Sequence, residues 1–145
     1  PPPYESRLMQ ASGLSPSPTA FTQIASYTYN AFWQITDTGF VSTGINTRDF
    51  PYTYRIDFYS NGNRVGSTNT ASSIYLSIAP VAIGKELLLS WEKIVPWVNY
   101  KYYIYKESPT GSDSYVLLDS TTSTSYIDAG LVNGATYCYK IRSVG

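Results

Sequence analysis

Ten carboxylates and ten Lys or Arg side chains, with no histidine, one cysteine and one methionine, are the chemistry available to this 145-residue chain. Without histidine there is no Ser-His-Asp or Cys-His relay, and no histidine-based zinc site. A carboxylate pair is the remaining catalytic option, as in glycoside hydrolysis, where two acids flank the scissile bond. Asp113 and Asp119 flank one expected strand, and Glu86 and Glu92 bracket another. Neither spacing fixes a separation, and no apolar cleft is legible around either pair, so solvated charges are the expectation. Asp37 and Asp128 stand at equivalent places before Gly39 and Gly130. Calcium takes about six to eight oxygens, usually with several carboxylates from one loop. Each of these loops offers one, so a turn in which Asp bonds its own backbone is expected instead. No catalytic residue, metal or cofactor is expected, and the chain reads as non-enzymatic.

Other side chains carry weaker chemical signals. Cys138 shares a strand face with Lys140 and Arg142, a setting that lowers a thiol pKa, but it has no histidine to activate it. Gly84, Gly111, Gly130 and Gly134 are isolated turn glycines, not a phosphate cradle. Trp97 follows Pro96 in a loop, and Trp33 neighbours Phe32. Both are candidate ligand contacts, because an exposed indole stacks on sugar rings. Their alternative role is to cap the ends of a folded core. Formal net charge is zero. That argues against nucleic acid as a partner and against a polybasic membrane-surface module. No run approaches the ~18 apolar residues of a membrane-spanning helix, so no direct membrane insertion is expected. The first residues do not read as a signal peptide, and any export address is expected outside this chain.

The elements that position these residues read as strands. Aromatics make up 16% of the chain, and fifteen of them are Tyr. That is a β-forming composition. In Tyr52-Thr53-Tyr54-Arg55-Ile56-Asp57-Phe58, apolar and polar residues alternate with period two. Tyr52, Tyr54, Ile56 and Phe58 are expected on the buried face, with Thr53, Arg55 and Asp57 outward. Ser60-Asn61-Gly62-Asn63 then suits a type I′ hairpin, with residues 64–68 returning. Tyr137-Cys138-Tyr139-Lys140-Ile141-Arg142 alternates in the same way, with Tyr137, Tyr139 and Ile141 inward. Further strands are expected at 74–78, 87–91, 100–105, 115–118 and 123–127. Trp91, at strand spacing from Leu87 and Leu89, reads as core. Tyr102, Tyr103 and Tyr105 crowd one strand, so some must face outward, where a cross-strand ladder is expected. Short strands with turn signals every 8–12 residues or so indicate a sandwich or barrel.

The chain repeats itself. The stretch opening at Pro3 aligns with that opening at Asn99, and Phe21-Thr22-Gln23-Ile24 with Tyr115-Val116-Leu117-Leu118. Ile35 to Phe40 aligns with Tyr126 to Leu131, and Tyr52 to Ile56 with Tyr137 to Ile141. The offset shrinks from 96 at Pro3/Asn99 to 85 at Tyr52/Tyr137, so the differences fall in loops. The second copy has two strands the first lacks, and the first has a strand after its hairpin that the second lacks. The expectation is an excerpt of a longer protein: residues 1–70 as the C-terminal part of one sandwich, and 71–145 as a second truncated before its last strand. The junction is placed near 69–73.

The second copy resembles a fibronectin type III domain. Leu87-Leu88-Leu89-Ser90-Trp91-Glu92 looks like that family's second strand with its core Trp, and residues 100–106 look like the third. Tyr126-Ile127-Asp128-Ala129-Gly130-Leu131 followed by Asn133-Gly134-Ala135-Thr136-Tyr137 looks like the passage from the fifth strand to the sixth. In that pattern Leu131 and Tyr137 form a tyrosine corner, whose hydroxyl bonds the backbone upstream. Tyr52 takes the Tyr137 place in the first copy. The tandem, with Asp37-Thr38-Gly39-Phe40, Asn46-Thr47 and Pro96-Trp97-Val98-Asn99-Tyr100, is also similar to segments of Bacteroidetes gliding-motility-associated surface proteins that leave by type IX secretion.

The resemblance implies an all-β fold of two consecutive fibronectin type III-like (Ig-like) sandwiches. The first lacks its N-terminal strands. The core is expected to hold Trp91, Leu131, Tyr137, Tyr139, Ile141, Tyr52, Tyr54 and Ile56. It implies an extracellular, cell-surface location and a structural, adhesin-like stalk role. Protein partners in an outer-membrane or cell-surface assembly go with that role. The alternative is a polysaccharide-binding accessory module of a secreted enzyme.

Overall fold

The computed structural model describes residues 1–31, 39–82 and 84–145. Trp33, Ile35 and Asp37 therefore lie outside the described residues. Among those described there is no helix, and eleven strands pair antiparallel throughout. The chain forms two compact units. The first comprises Pro1–Ser73 with Lys93–Pro96, and the second Ile74–Glu92 with Trp97–Gly145.

The first unit holds β1 (Tyr4–Ser12), β2 (Thr22–Tyr29), β3 (Tyr52–Ser60), β4 (Asn63–Ser67) and β5 (Ala71–Ser72). They form one sheet in the order β2-β1-β3-β4, with β5 continuing on the same edge of β3 by pairing with Thr53 and Tyr54. The pairing of β5 carries the unit as far as Ser73, past the boundary expected at residue 70. Asn61 and Gly62 join β3 to β4 with φ of 48° and 77°. Positive φ at both central residues is what a type I′ turn demands, and it explains the Asn-Gly pair.

The second unit holds β6 (Tyr75–Pro80), β7 (Glu86–Glu92), β8 (Lys101–Glu107), β9 (Tyr115–Thr121), β10 (Ser125–Ala129) and β11 (Tyr139–Val144). Two three-stranded sheets, β10-β7-β6 and β11-β8-β9, face each other in a β-sandwich-like arrangement. Leu89 and Trp91 come from one sheet, and Tyr102, Ile104 and Tyr139 from the other. All five are at most 8% exposed. The Trp91 and Tyr102 rings meet edge to face at 5.3 Å and 61°. Leu76, Leu87, Leu118, Tyr126, Tyr137 and Ile141 pack around this centre. Burying each of the large side chains stabilises the unit by about 2–3 kcal/mol. Leu131 is buried beside the sandwich end, its N–H donating to the Lys85 carbonyl at 2.9 Å. Tyr137 precedes β11 instead of lying on it. Its hydroxyl accepts the Val132 N–H at 2.9 Å, closing the loop between Leu131 and the strand.

The two units share more than strand order. β1 pairs with β2 and β3 as β8 pairs with β9 and β11. Leu8 lies opposite Ile56, and at the aligned positions Ile104 lies opposite Ile141. The register breaks between Leu8 and Met9 against β2, and between Ile104 and Tyr105 against β9, again at aligned positions. The Tyr52 hydroxyl accepts the Asn46 N–H at 3.3 Å, the counterpart of the Tyr137 bond. Arg55 stacks on Phe21 at 4.3 Å, and Lys140 on Tyr115 at 3.6 Å, also at aligned places.

The face of β3 is where expectation and structure part. Tyr52 and Tyr54 are only half-buried and Ile56 is 36% exposed, whereas Thr53 and Asp57 are 1% and 2% exposed. The second unit covers the aligned face with the β10-β7-β6 sheet, and no described strand of the first unit does the same over Ile56. The polar face closes instead. The Thr53 hydroxyl bonds the Gly13 carbonyl at 2.6 Å, and Asp57 is surrounded by donors. Alternation located the strand and its two faces, but Thr53 and Asp57 on the outer face are closed over because their polar groups find partners, while Ile56 on the other face stays uncovered.

Replacing Ile104 with Ala opens a cavity in the sandwich core and is expected to destabilise the second unit by about 3 kcal/mol. Ile56→Ala, at the first unit's counterpart of Ile141, is expected to cost less than about 1 kcal/mol because Ile56 is 36% exposed. Urea denaturation followed by circular dichroism measures both, and equal losses would contradict the assigned core.

Candidate functional site

Three sets of side chains could do chemistry: two buried carboxylates with their donors, the exposed indoles, and the outward faces of the sheets. The first lies between the two sheets of the second unit, toward the ends of β8 and β10 and the start of β11. Asp128 sits on β10 and is 5% exposed. It is not the turn residue that its place before Gly130 suggests, because β10 continues to Ala129 and directs the carboxylate inward. Oδ2 accepts the Lys106 ammonium of β8 at 2.7 Å and the Tyr139 hydroxyl of β11 at 2.6 Å. The Lys106 ammonium also lies 4.6 Å from the centre of the Tyr137 ring, a cation–π contact. Burial, then the bond to the Asp128 carboxylate, pushes the Tyr139 phenol well above its usual pKa, so it stays a donor. A buried ion pair is tolerated when its remaining sites are bonded, as here. The carboxylate is committed to two donors, and the arrangement links the sheets.

Asp57 plays a comparable part in the first unit. Arg55 Nε lies 3.0 Å from Oδ1, Arg64 reaches the same oxygen at 3.2 Å, and Ser67 donates to it as well. Burial alone would raise this carboxyl, but the hydrogen bonds from Ser67 and Arg55 and the charges of Arg55 and Arg64 hold it below its usual pKa. Sequence reading placed Asp57 outward. The signal it missed was the pair of arginines at positions 55 and 64, one on the same strand face and one across the hairpin.

The proposed contact residues are scattered. Trp97 is 53% exposed in the loop before β8. Trp33 falls outside the described residues. Asp119 and Glu92 are exposed, and the Asp113 side chain is 92% exposed, 3.9 Å from Lys140. Glu107 uses its carboxylate to accept the Gly111 and Asp113 N–H groups at 2.9 and 2.8 Å. These bonds hold it below its usual pKa. Cys138 is a half-buried free thiol. Among the described residues no three His, Cys, Asp or Glu side chains gather as metal ligands. Trp91 Nε1 is buried without a hydrogen-bond partner among the described residues, so this indole serves as packing. A shallow cavity of about 650 Å³ lies among Tyr4, Phe58, Tyr59 and Val65, and one of about 430 Å³ among Lys106, Pro109, Leu117 and Tyr137.

The outward faces differ in charge. On the first unit, Arg7 forms a two-bond pair with Glu5 at 2.8 and 3.0 Å while lying over the Tyr59 ring at 3.9 Å. Together with Arg55 and Asp57, that face pairs its cations with acids. On the second unit the register sets Tyr103 opposite Arg142 and Tyr105 opposite Lys140. Lys101 lies 5.2 Å from the Tyr103 ring. Tyr102 turns inward and is 4% exposed, so the crowded Tyr row divides between core and surface.

Tyr139→Phe removes a donor from a buried carboxylate and is expected to destabilise the second unit by about 2 kcal/mol. Tyr137→Phe frees only the N–H of the exposed Val132, which water can satisfy, and is expected to cost less than about 1 kcal/mol. Denaturation midpoints that rank the two the other way would refute the inter-sheet role of Asp128. For Asp57 the folded pKa lies below the unfolded one. Its contribution is therefore complete above about pH 4 and is lost as pH falls through the folded value. In acid titrations of stability, Asp57→Asn is expected to flatten that part of the first unit's profile; an unaltered acid limb would count against it. In comparisons with known proteins, no family model and no curated protein matches the chain.

Proposed function

We propose that the chain is a non-catalytic structural and adhesive stalk segment of a large exported bacterial cell-surface protein, made of two fibronectin type III-like sandwiches. The observation that carries this reading is what the two copies hold in common. They share sheet order, facing pairs, the position of the register break, the cation–π clip and the Tyr hydroxyl that closes the loop before the sixth-strand equivalent. Every shared feature is a scaffold feature. A duplicated scaffold adds length and resistance to unfolding, and chemistry resides in sites added to it. Type IX secretion, gliding motility and protein partners in a surface assembly follow from the motif resemblance and belong to the same proposal.

A second reading, a polysaccharide-binding accessory module, is favoured by one observation, the exposed Trp97 indole. Stretching single molecules of the chain is expected to give a discrete unfolding peak whose length gain matches the second unit. Smooth extension without a peak would sink the stalk reading. Glycan-array binding abolished by Trp97→Ala would move the assignment to the second reading.

A further inference from the structure

The two units offer an internal comparison of one surface. The β2-β1-β3 and β9-β8-β11 sheets have matching order and register, so each outward position of one has a counterpart in the other. Glu5, Arg7 and Met9 on β1 correspond to Lys101, Tyr103 and Tyr105 on β8. Arg55 and Asp57 on β3 correspond to Lys140 and Arg142 on β11. Both acids of the first unit's face are thus basic in the second. In the first unit those acids neutralise their neighbours, Glu5 with Arg7 and Asp57 with Arg55 and Arg64. In the second unit the same positions hold cations, and the space between them is filled by tyrosine rings.

The resulting face carries Lys101, Lys140 and Arg142 around Tyr103, Tyr105 and Tyr115. Lys140 and Arg142 are exposed. They stand two residues apart on one strand, about 7 Å, beside a neighbouring strand about 4.8 Å away. Two acids adjoin the face. Glu107 is occupied by the Gly111 and Asp113 N–H groups, and Asp113 is 3.9 Å from Lys140 and almost fully solvated. Cations recurring along a flat aromatic surface match a polymer that alternates a stackable ring with an anionic group.

We propose that the outward face of the β9-β8-β11 sheet binds an acidic polysaccharide, with Lys140 and Arg142 pairing its carboxylates or sulfates and Tyr105 stacking on its sugar rings. An acidic sugar chain is favoured over nucleic acid because the whole chain is electrically balanced and lacks the broad positive field that gathers phosphates. The face does not include Trp97, so the outcome is read separately from the Trp97 reading, and a stalk can carry a lateral binding face without ceasing to be one.

The test is calorimetric titration of the whole chain with polygalacturonate, neutral dextran and single-stranded oligo-dT. Saturable binding to polygalacturonate that weakens with salt, and none to dextran, is expected. The double variant Lys140→Gln/Arg142→Gln should weaken it at least about fivefold. Tyr105→Ala should weaken it while Tyr105→Phe retains it, and Arg48→Gln on the first unit should leave it unchanged. The Lys101→Glu/Arg142→Asp variant, which copies the first unit's acids into the second, should abolish it with circular dichroism unchanged. No binding to polygalacturonate, an equal loss in Arg48→Gln, or tighter binding of oligo-dT would each overturn the proposal.

Discussion

A single buried carboxylate constrains the second unit. Asp128 projects from one sheet and meets a lysine and a tyrosine of the other, so the two layers are tied by charge near one end as well as by apolar contact. Apolar packing is non-directional and tolerates sliding. An ion pair with a phenol donor does not, because moving either sheet leaves a buried charge unpaired, and that is costly. The carboxylate therefore fixes which residues of β8 and β11 meet β10. Leu89, Trp91, Tyr102 and Ile104 fill the space that this alignment creates. The first unit uses the same currency differently, gathering two arginines and a serine around Asp57 on the outer side of one sheet.

Much of this arrangement was legible from the residues. The alternation at 52–58 and 137–142 (which locates β3 and, from Tyr139 onward, β11), the Asn-Gly turn, and the Trp91 core position all follow from period two and turn chemistry. The likeness of strand pairing in the two units was legible too, because aligned stretches carry the same apolar spacing. What alternation could not reveal is that Thr53 and Asp57 are closed over on the outer face of β3 while Ile56 stays uncovered. That depends on a covering layer and on the partners of Thr53 and Asp57, which come from residues about 40 positions earlier and from across a hairpin. Asp128 was misread for a related reason. An Asp before Gly is locally a turn signal, and only the long-range meeting with Lys106 and Tyr139 makes it a core residue.

The candidate surface was partly legible. The Tyr row on β8 and the Lys140/Arg142 face were visible as alternation, but not that they lie on the same outward face, which requires the β8–β11 register. Nor does composition disclose the contrast between the two units, since their acids and bases cancel in the total. The basic residues of the β9-β8-β11 face are offset by acids elsewhere in the second unit, such as Glu86, Glu92 and Asp119, so the total hides the contrast.

The pleat has a consequence for how such a chain can change over generations. Because successive side chains point to opposite sides, Glu5/Lys101 and Asp57/Arg142 could diverge while their strand neighbours, such as Ile104 and Ile141, went on serving the interior. Two units with matching register thus offer two outward surfaces built on one strand order. Exposed positions such as 140 and 142 can change recognition on the outside of one unit while the interior is left as it is.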